Sequence, residues 1–212
     1  MILSNVLRLL RSSCLLCIVL GSGLHVASAD DWPQWLGPQR DSVWREAGII
    51  EKFPNDGLTP RWVTKIGSGY SGPAVADGIV VVLDRVASDA EGETIEQDKP
   101  PLNGNFVRKR LAGQERVVGI RESDGTIVWE HSYDCMYTSA STYAIGPRAT
   151  ATIHDDHVYA FGAEGMLTCL RLGDGSLVWQ RDMKAEYDLT IPVWGMACSP
   201  LVYGDRLICM IG

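Results

Sequence analysis

The chain has 212 residues, with 19 Lys and Arg against 26 Asp and Glu for a formal charge of −7. That acidic balance argues against a nucleic-acid partner, because phosphate binding is built on clustered cations. A composition 46% apolar and 21% charged excludes wholesale disorder, a collagen-like chain and a multi-span membrane protein, while 7 Trp, 7 Tyr and 22 Gly against 3 Phe point to an all-β fold of short strands and tight turns.

Residues 1–29 read as a secretory signal peptide. Arg8 and Arg11 precede the apolar run CLLCIVL at 14–20, and Ala27-Ser28-Ala29 supplies the small residues of a cleavage site before Asp30. The run is far shorter than the roughly 20 residues of a spanning helix, so the expectation is export to the periplasm or cell exterior with no transmembrane segment in the mature protein. Arg11 ahead of Cys14, and Leu16 ahead of Cys17, argue against a lipid-modified cysteine. Export would expose Cys135, Cys169, Cys198 and Cys209 to an oxidising compartment. Four thiols allow three complete pairings; the spacing selects none of them, and buried free thiols are the plainer reading. No C-x-x-C pair indicates zinc.

Residues 30–71 form an N-terminal segment that opens with Trp32-Pro33-Gln34-Trp35-Leu36-Gly37-Pro38 and carries an isolated outer strand at 60–66, around Trp62. Residues 72–132 read as a first full unit of four strands. Residues 72–75 turn at Asp77-Gly78 into 79–83, and residues 117–120 turn at Asp124-Gly125 into 126–129, each Asp-Gly supplying the positive φ of a two-residue hairpin. Within this unit, residues 87–114 are charged, contain Gly and Pro and lack periodicity, which suggests an inserted loop, with Arg108-Lys109-Arg110 as a solvated face. A second unit spans 147–182, where residues 149–153 turn at Asp155-Asp156 into 157–161. A partial third, 197–212, turns at Gly204-Asp205. Eleven strands are expected in all.

The units are copies of one another. At an offset of 50 residues, Arg121 to Trp129 (RESDGTIVW) falls on Arg171 to Trp179 (RLGDGSLVW), matching Asp124 with Asp174, Gly125 with Gly175 and Trp129 with Trp179. Repeats of this length built from four strands indicate propeller blades, with the tryptophans on outermost strands packing between sheets. Propellers close with about 4–8 blades, so the expectation is an incomplete, C-terminally truncated ring of four-stranded antiparallel blades. The strand at Trp62 would then complete a closing blade.

These copies, with Ser123-Asp124-Gly125 before Trp129 and Gly173-Asp174-Gly175 before Trp179, resemble the pyrroloquinoline-quinone-type β-propellers, and the W-P-x-x-x-G-P opening resembles that of exported bacterial members. The resemblance covers most of 32–212. It implies the propeller fold, whereas function within the group divides among quinone-dependent dehydrogenases, outer-membrane assembly factors that bind no quinone, and exported proteins of other roles. The dehydrogenases use calcium, an acidic base and a vicinal disulfide; the mature part holds no adjacent Cys-Cys pair, and their catalytic residues carry over to no position here. The favoured reading is therefore a binding or assembly scaffold without chemistry of its own, engaging a protein partner or small ligand on one propeller face. The alternative is an alcohol or sugar dehydrogenase with pyrroloquinoline quinone and calcium, its catalytic blades beyond residue 212.

Ligands of propellers meet the connections between blades. Two are distinctive: Asp134-Cys135-Met136-Tyr137 through Gly146-Pro147-Arg148, and residues 188–196 with Trp194. Arg148 offers a planar fork for a carboxylate or quinone oxygen and Trp194 a stacking face, so Arg148, Trp194, Tyr137 and Asp134 are the candidate ligand-binding residues. His154-Asp155-Asp156-His157 sits in a tight turn whose side chains diverge, and no metal site is expected. His131 is expected at the surface. No nucleophile elbow, zinc-binding helix or phosphate loop occurs.

Overall fold

The computed structural model describes residues 30–88, 93–94, 109–139, 145–192 and 194–211. The expected leader at 1–29 and residues 95–108 of the expected insertion lie outside them. Three antiparallel sheets follow along the chain. The first holds β1 (Ala74–Ala76), β2 (Ile79–Ala87), β4 (Lys109–Arg121) and β5 (Ile127–Ser139) side by side, with the short β3 (Glu93–Thr94) paired to the start of β4. The second is the meander β6 (Thr152–His154), β7 (His157–Phe161), β8 (Met166–Arg171) and β9 (Leu177–Asp182), and the third is the hairpin β10 (Leu201–Tyr203) and β11 (Arg206–Ile208). These are propeller blades, and among the described residues they do not close a ring. No helix among the described residues is long and apolar enough to cross a membrane.

The core lies in the seams between sheets. Ala74, Val81, Leu83 and Val117 of the first blade meet Ile153, Val158, Ala160 and Leu170 of the second, with Trp129 among them. Phe161, Leu167 and Met183 meet Leu207, Cys209 and Ile211 of the third. On the other face of the first blade, Val82, Val118 and Ile120 receive Trp62. Burial on both faces explains why Val81, Val82 and Leu83 run apolar without alternation.

The inner hairpins turn where expected, with Asp77 at φ 49°, Gly78 at 71°, Asp155 at 51° and Gly204 at 60°. The outer connections differ from the two-residue turns expected. Arg121 N–H donates to Thr126 C=O at 2.8 Å and Gly125 N–H to Arg121 C=O at 2.8 Å, enclosing residues 122–125; residues 171–176 repeat both bonds at 2.9 Å. Only the glycine adopts positive φ, 74° at Gly125 and 69° at Gly175. The aspartate's role is instead to accept an amide two residues on, Thr126 N–H to Asp124 at 2.8 Å and Ser176 N–H to Asp174 at 2.9 Å.

Each such turn receives the tryptophan of the preceding outer segment. The Trp129 indole N–H donates to Leu172 C=O at 2.7 Å, and a Cβ at Gly175 would lie 2.6 Å from its ring. Likewise Trp62 donates to Glu122 C=O at 2.6 Å, and a Cβ at Gly125 would meet it at 2.6 Å. Thus Trp62 stands where an outer strand would place it, but residues 60–66 form no ladder, because no partner strand runs beside them among the described residues. Val63 there is 83% exposed. Among the described residues, eleven strands are reached through β3 instead.

Two further departures concern the expected loops. Ala87 and residues 109–114 of the expected insertion belong to β2 and β4, and residues 134–139 of the expected connection belong to β5. The first blade therefore rises well beyond the second. Between β9 and the next loop sits α1 (Met183–Tyr187), capped by Asp182, which accepts from Ala185 N–H at 3.0 Å.

The N-terminal segment crosses the innermost strands. Trp32 exchanges both backbone bonds with Val75 of β1 at 2.9 and 3.0 Å, Pro33 C=O accepts from Ile153 N–H of β6 at 2.7 Å, and Arg40 donates to Val202 C=O of β10 at 2.8 Å. Further on, Asp84 holds residue 67 in place: its buried carboxylate accepts Gly67 N–H at 2.6 Å and the Arg116 guanidinium through Nε and Nη2 at 2.8 and 2.6 Å.

Candidate functional site

The segments that lead into inner strands converge on one rim. Tyr70 precedes β1, Arg148 precedes β6, and Trp194 lies on the loop to β10. Tyr70 N–H donates to Pro147 C=O at 2.8 Å, which brings the two entering segments side by side. Gly146, at φ 114°, is forced by that approach, since a Cβ there would stand 2.6 Å from Ser68 C=O. Arg148 then lies over the Tyr70 ring, 4.8 Å from its centroid, and over the Trp194 ring at 5.7 Å, while its Nε donates to Trp194 C=O at 2.8 Å. Tyr70 and Trp194 remain 55% and 44% exposed. The loop bearing Trp194 is tied down by Met196 N–H donating to Ala163 C=O at 2.7 Å.

Tyr137 adjoins this cluster from below. It is buried, its hydroxyl meets the Gly146 backbone, and burial pushes its acidity down against the pull of nearby Arg148. Asp134 does not join. Three positions apart on one strand means opposite faces, so Asp134 points away from Tyr137 and accepts from Gln114 at 3.0 Å. There Val86, Ala112, Gln114, Asp134 and Met136 line a separate open cavity of ≈ 670 Å³. Of the four expected residues, the structure brings together Arg148, Trp194 and Tyr137. Tyr70 was not expected. Its signal lay in the repeat: Tyr70 stands seven residues before Asp77 as Arg148 stands seven before Asp155.

Beneath the rim, Glu115 faces the second blade. It is 1% exposed and accepts from Tyr133 O–H at 2.7 Å and from Ala163 N–H at 3.0 Å. Burial raises the carboxyl above its ordinary range against those two hydrogen bonds. The Cys135 thiol on the same face is pushed up by burial and by Glu115. Arg85 lies over the Tyr137 ring at 5.7 Å and donates to Leu111 and Ala112 carbonyls at 2.9 and 2.8 Å. His131 is half-buried rather than at the surface, its pKa lowered by burial.

In the turn at 154–157, His157 Nδ1 is 2.7 Å from Asp156, which also pairs with Arg171, and His154 is 3.7 Å from Asp155. Among the described residues, no three His, Cys, Asp or Glu side chains converge on a cation position. The Arg148 guanidinium has Tyr70 and Trp194 against it.

Residues 56–211 match the family model described as outer membrane protein assembly factor BamB. A search of curated proteins finds no match.

Proposed function

The chain belongs to the BamB family of quinone-type repeat proteins, and from that premise we propose that it is an exported β-propeller scaffold whose docking point is the rim at Tyr70, Arg148 and Trp194. One observation carries this reading: three successive blade entries set an exposed Tyr, an Arg and an exposed Trp against one another. Those are the residue types that dominate binding energy at protein interfaces, and here they are held by backbone bonds before any partner arrives. The leader-like residues 1–29 support export.

The experiment replaces Trp194 with a photo-crosslinking aromatic residue in the full chain, expressed in the cell envelope of the native host. One discrete envelope-protein adduct is expected, lost on Arg148→Glu, with a mature N-terminus at Asp30. No adduct from a folded, exported protein removes the rim from the proposal. In parallel, calcium-dependent micromolar binding of pyrroloquinoline quinone in a calorimetric titration would replace the scaffold by the dehydrogenase.

A further inference from the structure

Cys198 and Cys209 stand on the two arms of the third blade's hairpin, just outside its ladder, whose outermost pair is Leu201 with Ile208. Met210 N–H donates to Cys198 Sγ at 3.2 Å. That nitrogen is joined to Cys209 Cα through a single carbonyl carbon, so Cys198 Sγ lies within about 6 Å of Cys209 Cα. Both side chains pack on the same cluster of Phe161, Leu167 and Met196, hence on one side of the hairpin. Continued past the ladder, its register sets Cys198 opposite Ile211 and Cys209 opposite Pro200, so the two cysteines are diagonal neighbours on one face, and closing a disulfide, which needs Cα atoms roughly 4.4–6.8 Å apart, draws the two arms together. Cys135 and Cys169 have different surroundings. They are buried within β5 and β8, opposite Gly113 and Trp179.

We propose that Cys198 and Cys209 are an oxidisable pair, closed by a disulfide-bearing oxidant into an intramolecular disulfide that clasps the third blade's first hairpin. The thiolate of one cysteine attacks the oxidant's disulfide, forming a mixed disulfide and expelling one thiolate. The second cysteine then displaces the oxidant's other half. Both cysteine protons end on the two released thiols, the cysteine sulfurs are oxidised, and the oxidant is reduced. Burial and the neighbouring Cys198 push the Cys209 thiol up to about 11, so closure accelerates as the medium becomes alkaline. The clasp would fix the end of the loop that carries Trp194, and it stands whether or not that rim docks a partner.

The test exposes the reduced full chain to oxidised glutathione at mildly alkaline pH, alkylates remaining thiols after denaturation, and maps tryptic peptides without reduction. Cleavage after Arg206 separates the two cysteines, so the expected product is the 185–206 peptide linked to the peptide that begins at Leu207, with Cys135 and Cys169 alkylated. Cys198→Ser should instead leave Cys209 carrying a single glutathione. Alkylation of both Cys198 and Cys209, separate glutathione adducts on each in the unmutated chain, or linkage to Cys135 or Cys169 overturns the pair.

Discussion

A carboxyl group stripped of water on folding holds its proton more tightly, and Glu115 is placed to show the cost. Arg85 draws its carboxyl down and Glu164 pushes it up, but burial is the larger effect and the net direction is upward from 4.5. Because the folded state binds this proton more tightly than the unfolded chain does, the group favours folding in acid. Its contribution is lost as pH rises from about 4.5 through the raised value. Glu115→Gln keeps the shape and removes the charge, while Gln still accepts from Tyr133 or Ala163. Urea unfolding across pH 4 to 8 should therefore show the wild type losing stability relative to E115Q as pH rises; parallel curves would contradict the assignment. The same residue marks a limit of reading by pattern. Glu115 stands one position past the charged stretch 87–114, and only its pairing with Arg85 and Tyr133 across the sheet reveals a buried acid.

Strands announced by short apolar runs and Asp or Gly turns were legible, as β1, β2, β6, β7 and β10 show. What hid was strand in polar dress. Residues 109–115 and 133–139 pair along their whole length although their sequence is charged or mixed, because a ladder uses backbone groups and needs no apolar side chains where one face meets solvent. Reading 134–148 as loop cost the site its geometry, since a loop has no faces and Asp134 could then be grouped with Tyr137. The N-terminal segment hid for another reason: it uses main-chain bonds to distant inner strands, and such long-range pairing leaves no local signature. The amides of Val75 and Ile153 donate to Trp32 and Pro33. Deleting residues 30–40 should deprotect both in hydrogen exchange by at least ~10-fold, leaving the second-strand amide of Ala160 protected; unchanged protection would show the strap contributes nothing to these edges.

At the scale of the whole molecule, stability is distributed over seams between blades rather than held in one centre. Two of the seams have an apolar layer and an indole clasping the next blade's turn, Trp62 on the first and Trp129 on the second, and this periodic design is what made the architecture readable from an offset of the chain against itself. Arg148 and Trp194 were expected at the rim from the connections between blades, whereas Tyr70 and the exclusion of Asp134 required coordinates. Trp179 is the informative exception. It is half-buried against Tyr159, with ring centroids 6.2 Å apart, and clasps no Asp-Gly turn among the described residues. When each unit meets only its neighbours, cooperativity depends on the interface energy, so weakening one seam should separate the two sides. Trp129→Ala, which empties a nearly fully buried site and removes the bond to Leu172, should cost about 3–5 kcal/mol and split urea unfolding into two steps. Trp179→Ala should lower stability less and leave a single transition. If W129A unfolds in one step with a loss no larger than W179A, the indole clasp is not what couples the blades.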